Sequence, residues 1–228
     1  MINDYCLRKI MEIFLRQFKQ IFITAMFMLF ICPAIAQVKQ PSVIHKKPTE
    51  LMGQIREFYH LIAQANVSFT YPKGFVEIIA PNDEDFSFDY ALELPGKDFE
   101  IWFQVKSEKE NWISYQHTQA IPNSQLANPD SVYTAIGAAT ATAFTGDKNY
   151  FVRTIPPDIL ASYNADAGKS YLLTLLDLPQ TKHYKYALLI ALQKYHTGTI
   201  MVLYFTNEKN PEFFKNINST DNNVKFKP

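Results

Sequence analysis

Cysteine is nearly absent from the sequence, which has only Cys6 and Cys32, both within the first 36 residues. Residues 37–228 contain none, so this part of the chain has no means of forming a disulfide, a thiolate metal site or a cysteine nucleophile. It must be stabilised by its hydrophobic core. The 18 Phe and 13 Tyr residues supply large side chains for such a core.

An excess of charge is also absent, because 22 Lys and Arg residues balance 22 Asp and Glu residues. Nucleic acids and anionic lipids are held largely by dense basic surfaces, which neutralise phosphate groups. We therefore expect no nucleic acid partner. A protein or a small molecule is the expected partner, and the composition leaves its identity open.

The apolar run at residues 21–32 is shorter than the roughly 20 residues that a transmembrane helix needs. Basic residues precede it, and small residues at Ala34 and Ala36 follow it, which is typical of a cleaved signal peptide. We expect residues 1–36 to be that signal, with Met1 or Met11 as the true start. We then expect export to the periplasm or the medium, without stable membrane insertion after cleavage. An uncleaved anchor is the alternative.

The remaining chain divides into an arm and one domain. Residues 37–48 are polar and contain two prolines, which favours a flexible arm. Residues 49–228 have a length suited to a single domain. Residues 49–65 place apolar side chains three and four positions apart, a spacing that predicts a helix.

A period of two then predicts strands. Residues 67–70 and 75–79 are the first two. Residues 86–94 alternate strictly, which predicts a strand with all its aromatic side chains on one face. Residues 99–105 alternate again after the turn at Pro95-Gly96, so the two segments form a hairpin.

The second half mixes helices and strands. Residues 111–128 are predicted as a loop. A helix is predicted between Asn128, which suits its N-cap, and Gly146, which suits the position after its end. Pro129 suits its first position. A short strand at residues 150–154 and a turn of helix at residues 156–163 follow.

Residues 184–205 predict a long hairpin that is apolar on both faces and therefore central in a sheet covered by helices. A short helix at residues 208–217 and a strand at residues 224–226 close the chain. Two hairpins, short strands and about three helices indicate an α+β fold. We expect a mostly antiparallel sheet between helices, an α/β/α sandwich.

The turn at residues 69–75 (FTYPKGF) resembles the entry of PsbP-like domains, where an aromatic-Pro-x-x-aromatic turn joins the first two strands. The hairpin at residues 184–205 and the Phe-rich helix and strand after it also resemble that family. The resemblance implies an antiparallel sheet between helices and a binding or accessory role, as in an extrinsic subunit of photosystem II and a nuclear-import factor. The chain also resembles secreted proteins of Bacteroidetes, whose signals often end in Ala followed by Gln, as at Ala36-Gln37.

The most polar string between two apolar stretches is at residues 163–170 (YNADAGKS). Its end resembles a phosphate loop, but Tyr163 stands where that loop needs glycine. Loops carry function more often than the strands that they join, so we expect ligand binding here. The residues concerned are Asn164, Asp166, Lys169 and Ser170. The alternative is that Asn164 and Asp166 serve backbone donors in a turn.

Trp102 occupies the polar phase of its predicted strand. We expect a helix to cover that face, so that Trp102 belongs to the core. The alternative is an exposed aromatic binding surface that includes Trp112 and Tyr115.

Local catalytic motifs are missing. The five histidines include no pair at i and i+4, and the chain has neither a G-x-S-x-G elbow nor an S-x-x-K motif. We therefore expect no catalytic residue, metal or cofactor, and favour an exported soluble binding or accessory module of unknown ligand. The alternative is a small secreted or periplasmic hydrolase whose site is assembled across loops. There His117 or His183 would meet a carboxylate and Ser170 or a metal.

Overall fold

An antiparallel sheet of seven strands forms the middle layer of the fold. The computed structural model describes residues 48–119, 121, 126–147, 150–220 and 222–228, so the predicted signal peptide and most of the predicted arm lie outside the described residues. The strands over these residues are β1 (Val67–Phe69), β2 (Val76–Ile78), β3 (Tyr90–Glu93), β4 (Phe99–Ser107), β5 (Phe151–Thr154), β6 (Ala167–Thr174), β7 (Tyr186–Lys194), β8 (Gly198–Thr206) and β9 (Val224–Phe226). The large sheet has the order β2-β3-β4-β8-β7-β6-β5, and β1 pairs with β9 separately.

Helices cover both faces of the large sheet. The described residues contain α1 (Pro48–Gln64), α2 (Lys109–Gln119), α3 (Pro129–Thr145), α4 (Pro157–Ser162), α5 (Pro211–Thr220) and a 3₁₀ turn at Pro179–Thr181. Side chains of α1, α4 and α5 join the core on one face, and those of α3 join the core on the other. The predicted α+β class is confirmed. Within the described part of the chain, no helix combines the length and hydrophobicity that a membrane span requires.

The hairpin of β7 and β8 lies at the centre of the sheet, as predicted. All nine residues of β8 are buried. Val202 belongs to the core under α1, and its neighbour Leu203 belongs to the core under α3. Because both faces are covered, both sets of alternate residues are apolar, which explains the continuous apolar run in the sequence.

The ends of α3 form as the sequence predicts. The Asn128 side chain accepts a hydrogen bond from the Asp130 backbone N–H at 2.9 Å, and Pro129 begins the helix. Gly146 follows the helix with φ 75°, a left-handed conformation that favours glycine, and its N–H donates to the Thr142 carbonyl oxygen at 2.8 Å.

The predicted strand over residues 86–94 is wrong in its first half, because the strand covers only Tyr90–Glu93. Its aromatic side chains do not share a face. Phe86 stacks on Phe144 of α3, with ring centroids 4.4 Å apart, whereas Tyr90 stacks on Phe58 of α1 at 4.7 Å. The segment therefore supplies aromatic rings to both cores.

Asp89 causes this change of face. Its backbone N–H donates to the Phe103 carbonyl oxygen at 2.8 Å, and its carboxylate accepts the Val105 N–H at 2.7 Å. A side chain thus takes the place of a backbone carbonyl in the ladder, so regular pairing stops before β3.

The predicted loop over residues 111–128 is also wrong, because its first part belongs to α2. None of the residues of this helix, which is described throughout its length, is buried. It therefore lacks the apolar stripe from which a helix is recognised. Its start is fixed by the backbone: the Glu108 N–H donates to Thr197 at 2.9 Å, and the Trp112 N–H donates to Glu108 at 2.8 Å.

The final helix begins three residues later than predicted, at Pro211. The side-chain oxygen of Asn210 accepts the Phe213 N–H at 2.9 Å, so Asn210 caps the helix. The predicted strand at residues 224–226 is confirmed as β9.

Candidate ligand-binding site

The predicted ligand-binding residues Asn164 and Asp166 lie in a loop that contacts the turn between β7 and β8. Asn164 donates a hydrogen bond from Nδ2 to the Lys227 carbonyl oxygen at 2.7 Å. Asp166 accepts hydrogen bonds from the Tyr195 backbone N–H at 2.9 Å and from Lys194 Nζ at 3.1 Å. These contacts fix the loop to the hairpin and to the end of the chain.

The other two predicted residues, Lys169 and Ser170, lie on β6. They pair with Ala191 and Ile190 of β7. Because successive side chains of a strand point to opposite faces, these two side chains diverge. The structure does not bring the four residues together, and ligand binding by this set stays a prediction.

His183 meets a carboxylate, as the hydrolase alternative requires. Its Nδ1 lies 2.5 Å from Oδ1 of Asp177, and the two side chains are 63% and 84% exposed. The pair lines an open groove of about 510 Å³. Among the described residues, His183 has no hydrogen bond to Ser170, no group of three or more His, Cys, Asp or Glu side chains is arranged to hold a metal ion, and His117 lies on α2.

A buried carboxylate, Glu100, anchors the neighbouring loop. It accepts hydrogen bonds from Trp102 Nε1 at 3.1 Å, from Tyr184 Oη at 3.5 Å and from Lys182 Nζ. Trp102 is itself buried, so the expectation that it belongs to the core is confirmed. Lys182 also lies 3.3 Å from Glu93.

Both titratable donors to Glu100 hold their protons. Burial lowers the pKa of Lys182, but the hydrogen bond and charge of Glu100, together with Glu93, outweigh it and raise the pKa above its usual value. Burial and the charge of Glu100 raise the pKa of the Tyr184 hydroxyl. Neither group is a base at neutral pH, so we interpret the cluster as a structural anchor between the loop and β4.

A cavity of about 240 Å³ lies between α2 and α3, beside the end of β4. Polar residues from β4, from α2 and from Glu108 between them line it, together with apolar residues from α3 and the segment before it. The lining residues are Lys106, Glu108, Asn111, Ser114, Tyr115, Leu126, Ala127, Pro129 and Val132. Because drug-sized ligands occupy roughly 300–1,000 Å³, this cavity suits a smaller molecule.

Glu108 is the exceptional residue of this cavity, because its carboxylate is only 2% exposed. Oε2 accepts a hydrogen bond from Asn111 Nδ2 at 2.5 Å. Oε1 lies 3.3 Å from Nζ of Lys106, which is an ion-pair distance, yet the angles do not make a hydrogen bond. Oε1 therefore accepts no hydrogen bond from any described residue, which is costly for a buried oxygen.

No family model matches the chain, and a search of curated proteins finds no match. The geometry of the cavity therefore carries the functional argument.

The start of α3 is tied to the turn between β7 and β8 through Asp130. Its Oδ1 accepts the His196 backbone N–H at 2.7 Å and Gln193 Nε2 at 3.2 Å. Its Oδ2 lies 3.2 Å from Nε2 of His196. These contacts hold the wall of the cavity that α3 supplies.

Gln193 carries a second unsatisfied acceptor at this end of the sheet. Its Oε1 is buried and accepts no hydrogen bond from the described residues. Gln193 pairs with Thr199, which pairs with Lys106, so the three residues form one row across β7, β8 and β4 and share a face. Two buried oxygens without a hydrogen bond from the described residues, on Glu108 and Gln193, therefore lie near the starts of α2 and α3.

Sequence reasoning missed Glu108, Lys106 and Asn111. All three are common surface residue types, and they follow no motif. The available indication was a polar segment directly after a predicted strand, which is where binding residues concentrate. The burial of Glu108 depends on α2 and α3, and the sequence pattern did not reveal α2.

Proposed function

We propose that this chain is an exported, non-catalytic binding module whose ligand occupies the cavity between α2 and α3. The observation that carries the proposal is the buried carboxylate of Glu108, a lining residue of the cavity whose Oε1 accepts no hydrogen bond from the described residues and lies 3.3 Å from Nζ of the exposed Lys106. A buried acceptor without a partner costs roughly 1–3 kcal/mol, so a ligand that donates to it recovers that free energy.

The acceptor is held in place before any ligand arrives. Asn111 holds the second oxygen of Glu108, and the Glu108 backbone N–H is bound to Thr197. A preorganised group loses little conformational freedom on binding, which favours affinity. Export is supported by the signal-peptide pattern of residues 1–36.

A small exported hydrolase is the second candidate, and the contact between His183 and Asp177 favours it. An Asp that contacts Nδ1 of a histidine leaves Nε2 to act as a base. Hydrolysis of p-nitrophenyl acetate by the protein, abolished in His183→Ala, would support this candidate. Equal rates in the protein and in the variant would exclude this histidine from the chemistry.

Binding can be tested with three probes that share one ring: cyclohexanol, cyclohexylamine and cyclohexanecarboxylate. Each is titrated into the protein while amide resonances are followed by ¹H–¹⁵N NMR. We expect saturable shifts at Asn111, Ser114 and Val132 with at least one probe, because these residues line the cavity.

A pair of variants of α2 provides the control. Ser114 and Gln116 are both exposed, but only Ser114 is in the lining of the cavity. Ser114→Trp should fill the cavity and abolish the shifts, whereas Gln116→Trp should preserve them. If none of the three probes produces saturable shifts at these amides, the proposed function is wrong.

A further inference from the structure

We infer that the ligand of this cavity is a neutral molecule that presents a hydroxyl group to Glu108 and Lys106, such as an alcohol or a polyol. The inference rests on the proposed function, since it names the class of ligand for the same cavity.

The two charged groups are a donor and an acceptor that do not bond to each other. Oε1 of Glu108 and Nζ of Lys106 lie 3.3 Å apart without a hydrogen bond between them. A hydroxyl group donates one hydrogen bond and accepts others through the same oxygen. Oε1 has almost no accessible surface in this structure, so the hydroxyl must enter between it and the ammonium of Lys106, whose side chain is 55% exposed. There it donates to Glu108 and accepts from Lys106 at once, which neither an ammonium nor a carboxylate can do.

Charge balance favours a neutral ligand. Lys106 and Glu108 are the two charged residues in the described lining, and their charges cancel. A ligand ammonium drawn to Glu108 would lie beside the Lys106 ammonium, and a ligand carboxylate drawn to Lys106 would lie beside the Glu108 carboxylate. Either arrangement brings two like charges together beside the Glu108 carboxylate, which is shielded from water.

The remaining walls accommodate an apolar body. Leu126, Pro129 and Val132 present aliphatic groups, and the Tyr115 ring lies on α2. A small ring or short chain with a hydroxyl group at one end matches this combination.

The three ring probes test the inference because they differ only in their polar group. We expect cyclohexanol to bind about tenfold more tightly than the amine or the carboxylate, since each charged probe loses one good hydrogen bond and gains a repulsion. If the amine or the carboxylate binds more tightly than the alcohol, the inference is overturned while the proposed function stands.

Two variants should reverse the preference in opposite directions. Lys106→Met removes the donor and leaves Glu108 uncompensated, so the amine should become the best probe. Glu108→Gln removes the acceptor charge and leaves Lys106 uncompensated, so the carboxylate should become the best probe. Lys106 is 55% exposed, so its replacement should lower stability without preventing folding, even if Glu108→Gln disturbs the start of α2. A Lys106→Met protein that still prefers the alcohol would overturn the inference.

Discussion

The indole of Trp112 lies against the imidazole of His196, with ring centroids 3.7 Å apart and planes inclined by 22°. The same imidazole is paired with Asp130. One histidine thus connects α2, α3 and the turn between β7 and β8. Because α2 buries none of its own residues, this stack is a main attachment of the helix that forms one wall of the cavity.

Replacement of His196 should therefore loosen α2 more than it destabilises the whole protein. His196→Ala removes a stack worth about 0.5–1.5 kcal/mol and a contact with the Asp130 carboxylate worth at most about 1 kcal/mol. We expect faster trypsin cleavage after Lys109 and a small fall in melting temperature. His183→Ala is the matched control, because His183 is also an exposed histidine with positive φ and an Asp partner. Equal cleavage of His196→Ala and the unchanged protein would contradict this role.

Lys182→Met should destabilise the protein in a pH-dependent way. The pKa of Lys182 is raised in the fold, so its contribution is fully present below the ordinary lysine pKa of about 10.4 and is lost as pH rises through the higher folded value. We expect a loss of about 1–3 kcal/mol at neutral pH, reduced because Lys182 is half exposed. Urea unfolding at neutral and strongly alkaline pH measures it.

The control for this prediction is Lys185→Met, which changes an exposed lysine of the same loop. It should have little effect at either pH. A deficit in Lys182→Met that grew with alkalinity would show that the sign of the linkage is wrong.

Two glycines should respond to alanine in opposite directions. A Cβ at Gly198 would overlap the Lys106 carbonyl oxygen of the neighbouring strand, so Gly198→Ala should lower stability by about 2 kcal/mol or more. Gly53 lies inside α1 with open space around its Cα, so Gly53→Ala should raise stability by up to about 1 kcal/mol. Thermal unfolding of both variants is the measurement, and a stabilising Gly198→Ala would show that β4 and β8 lie farther apart.

The predicted ligand-binding residues can be tested by separate variants of Asp166, in the loop before β6, and of Lys169, on β6. Asp166→Ala leaves the Tyr195 N–H without its acceptor and should lower stability by about 1 kcal/mol. Lys169→Ala removes a side chain on β6 and should leave the melting temperature nearly unchanged. Because Lys169 does not line the cavity between α2 and α3, loss of ring-probe binding in Lys169→Ala would place the ligand at the sequence-predicted residues instead of in that cavity. Full binding in both variants would leave the loop a structural part of the hairpin.

The sequence alone was sufficient to predict the elements that depend on residues close together in the chain. The cap at Asn128 and the glycine at Gly146 involve groups within one turn of α3, so residue type predicts them directly. The apolar run of residues 184–205 likewise predicts a central hairpin, because burial on both faces leaves a continuous pattern. The α+β class followed from such elements.

Only the tertiary structure decided the features that depend on partners distant in sequence. The strict alternation of residues 86–94 predicts one face, but the Asp89 carboxylate takes the Val105 N–H from β4 and turns the segment across the sheet. The cavity has the same origin. The sequence predicts Glu108 to be a surface residue. In the structure, α2 and α3 come together and bury its carboxylate beside Lys106. Composition determined that the core must be hydrophobic, whereas long-range packing determined which polar group that core leaves unsatisfied.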